Sequence, residues 1–190
     1  MKYNAVPDEE NQIIQRAVLR DHDAFSQLFD RYYVPINRYI YFHVGNQQDT
    51  DDLTEMVFLS AWQNLPKFKQ GKGTFKAWLY RIAHNQMVDF HRKKMPEDSI
   101  EEFSNITADI EKSENQIIAK QEIRRLQEAL AQLDERSRSV IIHRFIAGLD
   151  HRETAKLMGL SEGNVRIIQL RSLKKMKNYF EEVENGRTKR

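Results

Sequence analysis

Asn164, Arg166, Arg171 and Lys174 fall on a single helix at spacings that leave one polar face free. Amide and guanidinium groups match the polar edges of bases, ammonium groups match phosphates, and an α-helix fits the DNA major groove. The chemistry indicated is recognition of duplex DNA. The residues ahead of this helix supply its frame. Ala155, Gly159 and Val165 fall at the offsets of a helix-turn-helix: a small residue where two helices cross steeply, a glycine for a left-handed turn, and an apolar anchor. Ser161 can N-cap the second helix, and Glu162 suits its positive end. An ordinary helical hairpin that happens to be basic is the competing reading of this segment taken alone.

A second set is acidic. Asp49, Asp51, Asp52 and Glu55 form a block with no base among them. Carboxylates one helical turn apart share a face and can meet arginines in charge-assisted pairs. The same acids can also complement a helix dipole, and both roles are compatible. A third set is basic: Lys67, Lys69, Lys72, Lys76, Arg81, Arg92, Lys93 and Lys94 stand against Asp89 alone. Such a surface can hold a nucleic-acid strand. Asn85 within it has both a donor and an acceptor for the edge of an unstacked base. Trp78 could stack on a base, but its spacing with Leu79 and Ile82 favours a core position. His43, His84 and His91 lack the spacing of metal ligands, so neither a metal nor a cofactor is expected.

Charge alternates along the chain. The net charge is only +2, yet the basic stretches 67–94 and 144–177 are separated by an acidic one at 97–114. Two nucleic-acid contacts joined by a linker fit this order better than a set of unrelated solvated faces. With no cysteine in 190 residues, disulfides, thiolate metal sites and cysteine nucleophiles are excluded. No glycine-rich phosphate loop, nucleophile motif or paired acids in an apolar setting point to an enzyme. The absence of a signal-like start or a membrane-length apolar run leads to the expectation of a cytoplasmic protein that is not membrane-embedded.

The elements that must position these residues are helices. Ala24, Leu28, Tyr32, Ile36 and Ile40 recur at helical spacing, with Pro35 as a kink or boundary. A second helix is expected to start at Asp49 or Thr50, capped by one of them, with Leu53, Met56, Val57, Leu59 and Trp62 as its apolar side. After a loop over 66–74, a third should run from Phe75 to about Lys94. There Phe75, Trp78, Leu79, Ile82, Met87 and Val88 face a core, and Pro96 ends the helix. Residues 97–115 show no periodicity and suit a flexible acidic linker. A helix through Ile123, Leu126, Leu130 and Leu133 follows. Another over 137–145 is closed by Gly148, and the helix-turn-helix comes after it, with frayed residues from 181 onward. The expected architecture is all-α: two small helical domains at 1–95 and 117–190, joined by the linker at 96–116.

Four segments, in this order and spacing, resemble one family. They are Ala24-Phe-Ser-Gln-Leu-Phe-Asp-Arg-Tyr-Tyr33, Asp49-Thr-Asp-Asp-Leu-Thr-Glu-Met-Val-Phe58, Phe75-Lys-Ala-Trp-Leu-Tyr-Arg-Ile-Ala-His-Asn85 and Leu126-Gln-Glu-Ala-Leu-Ala-Gln-Leu133. With the helix-turn-helix they look like the extracytoplasmic-function group of bacterial sigma factors. The resemblance spans roughly 24–177 apart from the linker. It implies that the first domain is sigma region two and the second region four. It also implies core RNA polymerase (its largest and second-largest subunits) and promoter DNA as partners, and an anti-sigma factor as a possible further one. By the family pattern, Asp49, Asp52, Leu53, Glu55 and Met56 bind core polymerase, with Met56 where the family usually carries a second acid. Lys72, Lys76, Arg81, His84 and Asn85 match the region that reads and melts the proximal promoter element. Glu162, Asn164, Arg166, Ile167, Leu170, Arg171 and Lys174 fall on the helix that reads the distal one. Ile168-Gln169 departs from the commoner polar-then-apolar order. The alternative is a free-standing helix-turn-helix regulator with an amino-terminal sensing domain.

Overall fold

The computed structural model describes residues 8–69, 71, 73–94 and 114–188. Lys72, Pro96 and most of the expected linker lie outside them. No strand occurs among the described residues. The chain divides into two compact units, residues 1–100 and 101–190.

The first unit begins with α1 (Asp8–Val18), which composition had not suggested. Its Ile13, Ile14 and Ala17 are buried. Glu10 ties it to the next helix by accepting from Tyr32 Oη at 2.7 Å and from Arg31 Nη1 at 2.9 Å. Burial and the Glu10 carboxylate together push the Tyr32 phenol far above its usual value. α2 (His22–Val44) is N-capped by Asp21, whose carboxylate accepts from Ala24 N at 3.0 Å. It runs unbroken through Pro35, which lies on the solvent side. Gly45 ends it at φ 85°, the left-handed cap that glycine adopts without a Cβ penalty.

α3 (Gln47–Asn64) starts earlier than its acids suggested, and Asn46 caps it instead of Asp49 or Thr50. Asn46 Oδ1 accepts from Asp49 N at 2.8 Å, and its amide donates to the Asp49 carboxylate. A single 3₁₀ turn (Leu65–Lys67) follows. α4 (Phe75–Lys94) opens with Thr74 Oγ1 accepting from Ala77 N at 3.1 Å. The core of this unit is aromatic. Tyr39 and Tyr80 meet edge to face at 5.0 Å between ring centroids, and Phe29 lies 4.6 Å from Phe58. Burial pushes the Tyr80 phenol up to about 12. Trp78 sits among Phe68 and Phe75 at 5.3 and 5.5 Å, in the packing role its spacing favoured.

The second unit comprises α5 (Glu114–Ala131), α6 (Glu135–Ile141), a π-helical segment (Ile142–Ile146), α7 (His151–Met158) and α8 (Glu162–Thr188). α5 begins inside the stretch expected as linker. α8 continues to Thr188, so residues 181–188 are helical where fraying was expected. Asp134 caps α6. The Arg138 guanidinium closes the end of α5 by donating to the Leu130 and Leu133 carbonyls, each at 3.1 Å. In the π segment Ala147 N donates to Ile142 O, a five-residue step, and the extra residue turns His143 inward and Phe145 outward. A capping box starts α7: Asp150 Oδ1 accepts from Glu153 N at 2.7 Å, and Glu153 Oε2 accepts from Asp150 N at 2.9 Å.

Candidate partner and nucleic-acid interfaces

Buried hydroxyls set the rotation of α3. Thr50 and Thr54, both fully buried, donate back to the carbonyls of Asn46 and Thr50. Asn37 on α2 donates to Asp51 Oδ1 at 2.9 Å and to Thr54 Oγ1 at 3.3 Å. Asp51 is thereby turned against α2, while Asp52, Glu55, Met56 and Leu59 are left on the outer face. Leu53 is buried and Asp49 half-buried, so the face holds two carboxylates with two apolar side chains rather than acids alone. Met56 and Leu59 were expected on the apolar side of the helix, Met56 also at the polymerase contact. Leu59 is instead 59 % exposed, because the sides of α3 facing α2 and α4 are already filled by Phe58, Val57 and Ala61. The far end of α3 is held by Arg20. Its guanidinium donates to Trp62 O at 2.6 Å and Gln63 O at 3.4 Å, and lies 4.9 Å from the centre of the Trp62 ring. Arg20 itself has φ 69°.

On α4 the outer stripe is Arg81, Asn85, Val88 and Arg92, one turn apart in succession. Val88 was expected in the core, yet it is 52 % exposed beside Asn85. Met87, expected in the core with it, is buried there. Arg92 pairs with Asp89 at 3.0 Å. His84 is half-buried next to this stripe, and desolvation holds its pKa below the ordinary histidine value, which keeps the ring neutral at pH 7. Lys76 is half-buried, and Lys67 and Lys69 are exposed ahead of the helix.

In the second unit, Val140, Ala155 and Val165 form the buried knot between α6, α7 and α8, with Met158, Leu160 and Ile168 packed on it. Gly159 has φ 64° and passes its N–H to Ala155 O. Ser161 Oγ accepts from Asn164 N at 3.2 Å, the capping contact foreseen for this helix. Glu162, Asn164, Arg166, Ile167, Leu170, Arg171 and Lys174 are all exposed.

The residue pattern and the geometry agree with matches to known proteins. Sigma-70 region 2 matches residues 28–96, and sigma-70 region 4 matches residues 123–176. The extracytoplasmic-function RNA polymerase sigma factor BldN of Streptomyces coelicolor is 30 % identical over 165 residues, covering 86 % of this chain and 62 % of BldN. The chain thus spans less than two thirds of that relative. SigW of Bacillus subtilis, of the same group, is 28 % identical over 156 residues, covering 77 % of this chain and 83 % of SigW. The chain belongs to the sigma-70 family, in its extracytoplasmic-function group. Among solved structures, CnrH in complex with the cytosolic domain of CnrY aligns with a TM-score of 0.70 at 26 % identity, over 92 % of this chain and 99 % of that one. RpoE of Bartonella quintana, solved with the anti-sigma factor NepR, shares the fold with a TM-score of 0.65 at 19 % identity, over 83 % of this chain and 96 % of that one.

The amino-terminal unit of this sigma factor carries the region 2 match, and a free-standing regulator with a sensing domain is not favoured. The unusual Ile168-Gln169 pair also has a structural account. Ile168 faces the knot, and Gln169 Oε1 accepts from Arg144 Nε at 2.9 Å. Arg144 also donates to Leu149 O, so one guanidinium braces the middle of α8 and the loop before α7. His151 lies in the same cluster. Desolvation, then Arg144 and Arg166, hold its pKa below the ordinary value, opposed by Gln169 and Asp150. Neither Arg144 nor Arg20 stood out in the sequence, since a lone arginine in a basic chain carries no periodic signal. Asn46 directly after Gly45 was a readable stop-and-start pair that the adjacent acids obscured. Among the described residues, no helix is long and apolar enough to cross a membrane, and no group of three or more acids and histidines is placed to hold a metal ion.

Proposed function

We propose that this sigma factor binds core RNA polymerase through the outer face of α3 and carries promoter DNA on α4 and α8. Asp52 and Glu55 pair with arginines of the polymerase while Met56 and Leu59 cover its apolar surface. Asp49 flanks this contact, and Leu53 seats the helix from within. Arg81 and Asn85 engage the proximal promoter element, with His84 and Lys76 beside them, and Lys72 belongs to the same contact by the family pattern. Asn164, Arg166 and Arg171 read the distal element from α8, and Lys174 neutralises phosphate. Residues 1–95 act as region two and residues 117–190 as region four. The protein works in the cytoplasm as a specificity subunit with no catalytic activity of its own. The observation that carries this proposal is the division of labour within the first unit. α3 turns carboxylates outward and its neighbour α4 turns Arg81 and Asn85 outward, a pairing that suits a protein bridging polymerase and DNA.

A protein antagonist belongs to the same proposal. CnrH is captured with the cytosolic domain of CnrY, and an anti-sigma factor would act on this chain by covering surfaces that polymerase or DNA otherwise uses. The test is reconstitution. Core polymerase mixed with the full chain should co-elute with it and produce run-off transcripts from a subset of a promoter pool that core alone leaves silent. Failure to bind core, with DNA binding intact, would favour an independent regulator.

A further inference from the structure

The outer face of α8 is not uniformly polar. Ile167 and Leu170, 50 % and 73 % exposed, stand three residues apart in the middle of it. The fold does not need them there, because Val165, Ile168, Ser172 and Met176 already fill the inner side of the helix. Arg171 and Lys174 share their face, and Arg166 lies at its edge. A surface that is apolar in two spots and cationic around them calls for an occupant of opposite make-up: anionic overall, with small apolar groups at its centre. Duplex DNA has that make-up. Phosphates line both walls of the major groove, and the thymine C5-methyl is the apolar group that a base edge presents on its floor.

Resting on the assignment of α8 to the distal element, we propose that Ile167 and Leu170 are specificity residues that read thymine C5-methyl groups there. Three residues advance a helix by about 4.5 Å and turn it about 60° short of a full revolution. Base pairs are stacked about 3.4 Å apart. Two side chains so placed reach two methyls on neighbouring or next-neighbouring steps. Asn164 and Arg171, close to the same line, remain free to bond polar base edges. The selected element is then defined partly by where methyls stand and not by hydrogen bonds alone.

Deoxyuridine differs from thymidine only by that methyl. The full chain with core polymerase is bound to its preferred promoter fragment, and each distal thymine is replaced by deoxyuridine in turn. Affinity should fall about fourfold at each of one or two positions, equivalent to roughly 0.8 kcal/mol for one buried methyl-sized group. In I167A and L170A proteins, each change should erase sensitivity at one position, with thermal unfolding unaltered because both side chains are exposed. Where a thymine is replaced by cytosine, 5-methylcytosine should recover part of the loss. A distal element still protected in a footprint, yet bound equally with thymine or uracil at every position, overturns the proposal and leaves the assignment of α8 standing. Unchanged promoter affinity in both alanine variants also overturns it and gives the pair to an apolar protein partner. Absence of any distal protection removes the assignment of α8 itself, and the proposal with it.

Discussion

Replacing Gly159 with alanine should cost the helix-turn-helix a small and calculable amount. Gly159 holds φ 64°, and a Cβ built there meets no atom within 4 Å. The penalty is therefore conformational and carries no clash. An L-residue in the left-handed region loses about 1–2 kcal/mol relative to glycine. The hydrogen bonds from Gly159 N and Leu160 N to Ala155 O are compatible with the substitution. Local opening of α7 and α8 should become roughly 5- to 30-fold more frequent, the population change that such energies produce. Hydrogen exchange of amides between His151 and Lys174 in the full chain reads this directly. Asparagine tolerates the left-handed region better, so Gly159→Asn should fall between wild type and Gly159→Ala. Affinity for the distal element should be unchanged in both variants under native conditions, since open forms stay rare. Unchanged protection in Gly159→Ala, or a larger loss in the asparagine variant, would refute the turn geometry on which the placement of α8 depends.

Neighbouring residues on α3 should separate binding from stability. Asp52→Arg should weaken core binding by several kcal/mol and leave unfolding unaltered, whereas Leu53→Ala should destabilise the first unit by about 2–5 kcal/mol. Equilibrium titration with core and denaturation followed by Trp62 and Trp78 fluorescence distinguish the two. On α8, Arg166→Ala and Arg171→Ala should change base preference in a promoter-library measurement, and Lys174→Ala should weaken all sequences alike. Burial keeps the folded His84 ring neutral while an unfolded chain protonates near 6.5. Its contribution is complete above that value and is lost as pH falls through the depressed folded pKa. His84→Gln should flatten part of the stability loss seen by tryptophan fluorescence between about pH 7 and pH 5, and an unchanged slope would contradict the burial.

The helix-turn-helix was legible because its constraints are local. A steep crossing admits only a small residue at Ala155, and the turn admits a left-handed one at Gly159. α3 and α4 were legible as helices and in most of their inward positions, Leu53, Val57, Phe75, Leu79 and Met87 among them, but not in all. Met56, Leu59 and Val88 are apolar and exposed, and residue type alone does not say which side of a helix its neighbours leave uncovered. Pro35 argued for a break, yet its solvent-side position lets α2 run on. The π segment was invisible, since one extra residue between Ser139 and Gly148 leaves the composition helical. The residues singled out for binding on α8 are all exposed. Leu53 went to the core, and Asp49 was drawn into the cap of its own helix.

Promoter opening tests the central claim most directly, and Asn85 is the residue on which it turns. Exposed on α4 beside Arg81, it can capture a base edge once the base has left the stack, which offsets an opening cost of a few kcal/mol. Permanganate reactivity of thymines in the proximal element should be measured on a linear promoter bound by core polymerase with wild-type or Asn85→Ala protein. The wild-type complex should expose reactive thymines. The Asn85→Ala complex should form and still protect the promoter, open it poorly, and regain transcription on a pre-melted bubble. Wild-type strand opening by Asn85→Ala would remove Asn85 from the melting surface. Unreactive thymines with the wild-type protein on promoters it protects would contradict the account as a whole.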